Sequence, residues 1–288
     1  MKNVKNALAI VCAFAMVAVL VSSCSQEEEV APTSTDNQLA ITDAVMAQFG
    51  ELGFDVGDID VTGKKEMLDP AYEAGNYLLE GDIVITPENL SQMLNSSIYY
   101  KGPVGEQYRT NNLVGGLPRT IRVIGYTGGS NALDNTMRTA LQWTIDNYNA
   151  LNTNLNFTLT FGTNYSSYDI VVYRVSGGGG GQAGFPSGGN PYKFVQIQSG
   201  TSNYGTNVVE HVITHEIGHC LGLRHTDYFD RSYSCGSGGN EGDGGVGANP
   251  IPGTPTGYDA NSIMNACFSS GEDGEFGNYD RVALEYLY

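Results

Sequence analysis

From residue 119 onward, apolar and polar positions follow a regular plan. Ile121-Arg122-Val123-Ile124 alternates with the period of a strand. Asn131 caps a predicted helix, with Asp134 three residues on as in a capping box. The apolar face of that helix runs through Leu133, Met137, Leu141, Ile145 and Tyr148. Phe157-Thr158-Leu159-Thr160-Phe161 predicts a second strand. Ile170-Val171-Val172-Tyr173 is continuously apolar, which predicts a strand in the middle of a sheet. Five glycines follow, Gly177 to Gly181, and then Phe194-Val195-Gln196-Ile197-Gln198 alternates again. Val208 begins a helix that runs into a group of histidines. Strand, helix, three strands, helix predicts an α/β (α+β) sandwich around a twisted mixed sheet. Asp280 to Tyr288 reads as a closing helix with Val282, Leu284 and Leu287 inward.

The upstream part is less regular. Leu39, Val45, Met46 and Phe49 have helical spacing, and Ile83-Val84-Ile85 is a short strand. Thr86-Pro87-Glu88 opens another helix, with Thr86 as N-cap and Pro87 at its first position. Residues 101–118, rich in Gly, Asn and Pro, read as a linker. A small N-terminal domain with its linker is therefore expected over 39–118, and a larger domain over 119–288. Residues 25–38 are polar and read as a tether. Residues 1–24 read as a targeting segment: Lys2 and Lys5 precede an apolar stretch, Ala7 to Leu20, too short to span a bilayer. Val21-Ser22-Ser23-Cys24 resembles a bacterial lipobox. The resemblance implies cleavage before Cys24, acylation of its thiol and a lipid anchor in the outer membrane, with the protein exposed at the cell surface or released.

Composition narrows the partners. The 288 residues carry a formal charge of −17 and no basic patch, which argues against nucleic acid. With 38 Gly, 18 Tyr and 16% charged residues, the chain reads as a strand-and-loop protein for an extracellular setting. Three cysteines lie beyond the tether, in an oxidising compartment: Cys220, Cys235 and Cys267. A Cys235–Cys267 bridge is favoured, because it would tie the loop after the histidines to the segment around Met264. Cys220, beside His219, is then a buried thiol or, alternatively, a thiolate ligand.

All four histidines lie between 211 and 225. His215 and His219 are four apart and share a helix face, so two imidazoles can reach one metal. Glu216 is placed to take a proton from a metal-bound water. His225, six residues after His219, would be out of phase on a continued helix. Gly222 resolves this, since glycine ends a helix cheaply in a left-handed conformation and turns the chain back. His211 lies eight residues before His219, about 12 Å away in helix rise, and is read as structural or supporting. A catalytic zinc keeps three protein ligands and one open position. His215, His219 and His225 would hold Zn2+, with Glu216 as general base for hydrolysis of a peptide bond.

The string HEIGHCLGLRH at 215–225 matches the metzincin signature H-E-x-x-H-x-x-G-x-x-H. It resembles the bacterial dual-action HEIGH metallopeptidases over most of 119–288. The resemblance implies a metzincin-like endopeptidase domain acting on protein or peptide substrates. It implies a Met-turn at Ser262-Ile263-Met264, and a sheet-edge strand at Gly181–Pro186 where substrate backbone pairs. Ala266 stands where astacins and serralysins carry a Tyr, so a tyrosine ligand is in doubt. Leu79-Glu80-Gly81-Asp82-Ile83 resembles the segment of astacin prosegments in which an Asp caps the zinc; by that resemblance Asp82 would hold the enzyme latent. Two further readings stand beside the peptidase. One is a non-catalytic surface binding module with a structural zinc. The other, compatible with catalysis, is a Ca2+ site in the loop 236–247 through Glu241 and Asp243.

Overall fold

A computed structural model describes residues 39–52, 56, 62–64, 68, 75–79, 81–94, 107–242 and 247–288. The targeting segment, Cys24, the tether, Glu80 and Asp243 lie outside the described residues. Asn37–Tyr288 forms one compact unit.

The main sheet has five strands in the order β6-β5-β7-β9-β8. They are β5 (Arg119–Tyr126), β6 (Leu155–Gly162), β7 (Ile170–Val175), β8 (Gly181–Gln182) and β9 (Phe194–Gln198). β5, β6, β7 and β9 are parallel, and β8 runs antiparallel at the edge beside β9. The sheet is therefore mixed, and the apolar run at 170–175 lies at its centre.

Two helices cover one face: α3 (Asn135–Ala150) and α4 (Thr206–Leu221). Ile121, Val123, Val172 and Ile197 of the sheet join Met137, Leu141, Ile145, Val212, Ile213 and Ile217 of the helices in one buried cluster. Each such side chain contributes roughly 1.5–3 kcal/mol on burial, so this cluster is what holds α4 in place. Ile124, Val171, Tyr173 and Phe194 point to the opposite face. Alternation along β5 serves both faces at once.

Three local expectations need correction. α3 is capped by Asp134, whose carboxylate accepts from Met137 N at 3.0 Å, while Asn131 sits in a short 3-10 turn and donates to Arg174 O. A carboxylate at the N-terminus also meets the positive end of the helix dipole, which favours Asp over an upstream Asn. In the closing helix α6 (Asn278–Leu287), Ala283 and Leu284 are buried but Val282 is exposed. Part of the supposed linker is built into the fold: β4 (Tyr108–Arg109) pairs with β10 (Asn249–Pro250), and Gln107, Tyr108, Thr110 and Val114 are buried.

The N-terminal part carries α1 (Asp43–Glu51), α2 (Pro87–Leu94) and a three-stranded antiparallel sheet. Its strands are β1 (Thr62–Lys64), β2 (Asn76–Leu79) and β3 (Ile83–Ile85). Thr42 caps α1, and Thr86 Oγ accepts from Asn89 N at 3.0 Å ahead of α2. Phe49, Leu52, Leu79, Ile83, Ile85, Leu90 and Met93 form a small core that also takes in Phe185.

One charged group sits at a cost in this packing. Glu210 on α4 is buried beside Asp273 and Glu275, with Asn147 Nδ2 donating to its Oε1 at 3.0 Å. Burial, then its two acidic neighbours, push its carboxyl up to about 7. The folded state therefore holds an extra proton between the ordinary value of 4.5 and about 7, so stability falls as pH rises through that window. Glu210→Gln, which keeps the acceptor and removes the charge, is expected to leave stability unchanged near pH 4.5. Near pH 8 it is expected to raise Tm by roughly 2–4 °C. Thermal unfolding at the two pH values checks this, and an equal shift at both would refute it.

Candidate metal centre

α4 ends where its sequence says it must. Gly222 has φ 107° and its N–H closes onto Gly218 O and His219 O. An added Cβ would lie 2.9 Å from Leu113 Cδ2 and 2.9 Å from Thr110 Oγ1. Both the left-handed backbone and the close approach of β4's flank therefore require glycine here. The chain then turns back, Arg224 N bonds to Tyr108 O at 2.9 Å, and His225 returns toward α4.

The result is a convergence of three rings. His225 Nε2 is 3.2 Å from His219 Nε2 and 3.2 Å from His215 Nε2. The outer nitrogen of each ring is engaged. His215 Nδ1 meets Ile263 O at 2.9 Å, His219 Nδ1 meets Leu223 O at 2.9 Å, and His225 Nδ1 meets Glu241 Oε1 at 2.5 Å. A carbonyl oxygen only accepts, so Nδ1 of His215 and His219 carries the proton and Nε2 presents a lone pair. Lone pairs aimed at one point need a cation between them. Nitrogens about 2.0–2.1 Å from one tetrahedral zinc lie about 3.3 Å apart, which the observed 3.2 Å separations fit.

Asp82 completes the group. Its Oδ2 lies 2.9 Å from His225 Nε2 and 3.7 Å from His215 Nε2. Asp82 and the three histidines are a set whose ligand atoms all lie within 4.8 Å of one another. Burial opposes ionisation of Asp82, yet the His225, His215 and His219 rings hold its carboxyl well below the usual range. Burial would also lower His225, but Glu241 and Asp82 raise it well above its ordinary value. Burial and the two neighbouring rings push His219 down.

Asp82 arrives on the tip of the β2–β3 hairpin, with its N–H closing the turn onto Leu79 O. The outgoing strand pairs in parallel with the sheet edge. Ala183 N donates to Asp82 O at 2.9 Å and Val84 N to Ala183 O at 2.7 Å.

Glu216 is buried next to His215, and its Oε2 has no hydrogen-bond partner among the described residues. Burial, then Asp82, push its carboxyl well above the ordinary range. His211 stays out of the cluster, with Nδ1 on Asp273 O. Met264 is fully buried under α4, where a Cβ on Gly218 would meet its Sδ at 2.6 Å. Cys235 and Cys267 are disulfide-bonded, and Cys220 is buried outside that bond.

Three supporting residues escaped the sequence reading. Glu241, read as a calcium ligand, instead spends its oxygens on His225 and on Arg224 Nη2 at 3.3 Å. Arg224 is fully buried, donates to Gly247 O and Gly242 O at 2.9 Å each, and stacks over Phe185 and Tyr228. Asp280 accepts from Ser262 Oγ (2.7 Å), Ile263 N (2.9 Å), Gly277 N (2.9 Å) and Gln107 Nε2 (2.9 Å), which clamps the turn that carries Met264. The partners that give them these roles lie far away in the chain, so local spacing does not mark the roles.

A family model described as dual-action HEIGH metallo-peptidase matches residues 77–288, well over half of the chain. The chain belongs to this family. The match takes in the β2–β3 hairpin as well as the histidines, so the HEIGH metallopeptidase segment includes Asp82. No curated protein sequence matches. Two solved structures of myroilysin align at 16% identity with TM-scores of 0.39. One match covers 61% of this chain and 82% of that chain, the other 72% and 98%. At that distance the chemistry of this HEIGH metallopeptidase has to be argued from its own residues.

Gly222→Ala is expected to destabilise the protein by about 1–3 kcal/mol, because a Cβ at positive φ is strained and here also meets Leu113 and Thr110. The urea midpoint should fall at unchanged m-value; an unchanged midpoint would count against the turn's role.

Proposed function

We propose that the chain is a metzincin-type zinc endopeptidase held latent by Asp82. One observation carries this reading: the Nε2 atoms of three imidazoles converge on one point, with a buried carboxyl oxygen of Glu216 that has no hydrogen-bond partner among the described residues. His215, His219 and His225 are the zinc ligands, and Met264 forms the Met-turn beneath them. Zinc, when bound, lowers the pKa of a water toward about 7 and polarises the peptide carbonyl. Glu216 accepts that water's proton and delivers it to the leaving amine. The edge at Gly181–Ala183 pairs with the substrate backbone, as it pairs with residues 82–84 in the latent chain.

Asp82 occupies the position the substrate carbonyl needs. A covalent cut that frees the β2–β3 hairpin would open the cleft. Lipid attachment at Cys24 and an outer-membrane location belong to the same proposal and rest on the lipobox resemblance alone. A structural zinc is normally closed by four protein ligands. Asp82 does supply a fourth, which keeps the non-catalytic binding module as the competing reading.

Casein cleavage by the zinc-loaded full chain separates the two. The parent chain is expected to be slow and Asp82→Ala at least about tenfold faster, since a released carboxylate–histidine contact exceeds about 1.4 kcal/mol. Adding Glu216→Gln to Asp82→Ala should cost about 10²–10⁴-fold, and a chelator should abolish the rest. Equal rates in parent and Asp82→Ala would sink the latency contact. A folded, zinc-loaded Asp82→Ala chain that cleaves nothing would favour the binding module.

A further inference from the structure

The edge strand β8 begins at Gly181, directly against Glu216. A Cβ added to this glycine would lie 2.5 Å from Glu216 Oε1, 2.6 Å from its Cγ and 2.8 Å from its Cδ. We propose that Gly181 is a positioning residue for Glu216: its missing side chain leaves the seat in which the carboxylate rests. The inference rests on the peptidase reading above, in which Glu216 moves the proton.

The backbone of Gly181 does not itself call for glycine. Gly179, Gly180 and Gly222 have positive φ, and Gly181 does not. Its neighbours do not call for it through their backbones either. The three heavy atoms nearest to the added Cβ all belong to the Glu216 side chain. Gly200 is the contrast, since a Cβ there would meet the carbonyl oxygen of Gly178 at 2.1 Å. Glycine inside a strand gives up packing and marks a close approach. Here the group that approaches is the proposed base.

The carboxylate has few other restraints. Its Oε2 has no hydrogen-bond partner among the described residues, so its direction depends on what the side chain packs against. The seat, in contrast, is fixed. The buried Thr201 hydroxyl accepts from Gly180 N and donates to Gly180 O, at 3.0 Å each. Gln198 N also donates to Gly180 O at 3.0 Å, and Gly181 and Gln182 pair with Ile197 and Gln196 of β9. Two residues on, Ala183 bonds residues 82 and 84 of the hairpin. One strand thus places the base and offers the edge that aligns an extended chain beside it.

A methyl group at 181 would crowd the carboxylate. Ordinary contact between such atoms begins at about 3.5 Å, so the side chain would have to withdraw by about 1 Å. It has room to do so. A cavity of about 250 Å³ is lined by Gly181, Glu216 and Val212, and by Cys267, which the disulfide ties to α5 (Ser232–Cys235). The flexible end of Glu216 therefore yields before the sheet or α4 does. A misplacement of about 1 Å costs a reacting group on the order of 10²-fold in rate. The substitution is cheap for the fold and expensive for proton transfer.

The test compares zinc-loaded full chains that all carry Asp82→Ala, on one quenched peptide. Gly181→Ala is expected to lower kcat about 10²-fold with KM held within about twofold. Zinc content should not change, and Tm should fall by less than about 4 °C. Gly178→Ala, in the same glycine run, should match the parent, because an added Cβ there meets nothing within 4 Å. With Glu216→Ala there is no carboxylate to displace, so adding Gly181→Ala should slow that chain by less than about twofold. A crystal structure of the Gly181→Ala chain should show the Glu216 carboxylate moved by about 1 Å and the three rings in place. An unchanged kcat overturns the inference, as does a loss of kcat that tracks a loss of zinc or a larger fall in Tm. A change confined to KM also overturns it and assigns Gly181 to substrate pairing. If the Asp82→Ala chain itself cleaves nothing, the peptidase reading fails, and the crystal structure alone decides whether Gly181 seats the Glu216 carboxylate.

Discussion

Three imidazole Nε2 atoms, that of His225 lying 3.2 Å from each of the other two, repel one another unless something positive lies between them. Much of the surrounding structure exists to impose that arrangement. α4 can present His215 and His219 because its apolar side is buried against the sheet and α3. Those rings are then fixed by carbonyls from two separate segments, Ile263 O and Leu223 O. Ile263 is in turn fixed by Asp280, across 17 residues of chain, and Leu223 by the left-handed turn at Gly222. Orientation of a metal-binding ring through its other nitrogen sets tautomer and basicity together. The fold therefore spends its least local contacts on the groups whose direction matters most.

The third ring is held by charge rather than by backbone. Glu241 is fully buried between His225 and Arg224, and an isolated carboxylate there would cost several kcal/mol. Arg224 offsets it, and two backbone carbonyls and two aromatic faces absorb the rest of the guanidinium. Removing either partner would strand the other, which makes the pair a rigid mount for His225 rather than a net source of stability. A Ca2+ site at Glu241 would need those same oxygens, so the two roles compete for one carboxylate.

What could be read from the sequence was whatever repeats within a turn or two of chain. The two histidines one turn apart, the glycine that ends their helix, and the alternating strands all state their geometry locally. Asp134 rather than Asn131 caps α3 because cap choice depends on which residue faces the first free N–H groups, a one-turn ambiguity that spacing does not resolve. Val282 points outward because α6 docks through Ala283 and Leu284, and a small alanine at the contact carries little hydropathic signal. Residues 107–114 look like a linker by composition, yet they brace the Gly222–His225 turn through Thr110 and Tyr108. The roles of Glu241, Arg224 and Asp280 at the site come from partners 16 to 173 residues away, and the one local bond, Gly277 N to Asp280, marks a helix start and not the clamp.

Asp82 illustrates how a short motif can be carried to a distant cluster once it is folded. Two backbone hydrogen bonds to Ala183 contribute only about 1 kcal/mol each, net of water. Ile83, Val84 and Ile85 add the larger share, since each is almost fully buried, at roughly 1.5–3 kcal/mol apiece. The small core that buries Ile83 and Ile85 also includes Phe185, two residues beyond Ala183 on the edge segment. The aspartate is thus delivered by an apolar anchor, not by its own charge. In the proposed latent form, salt or a competing carboxylate acts on the tip of the hairpin, while the hairpin itself stays docked through burial that salt does not weaken. Under that proposal, activation calls for an event that unseats the whole hairpin, and a covalent cut between the hairpin and the domain it covers would be such an event.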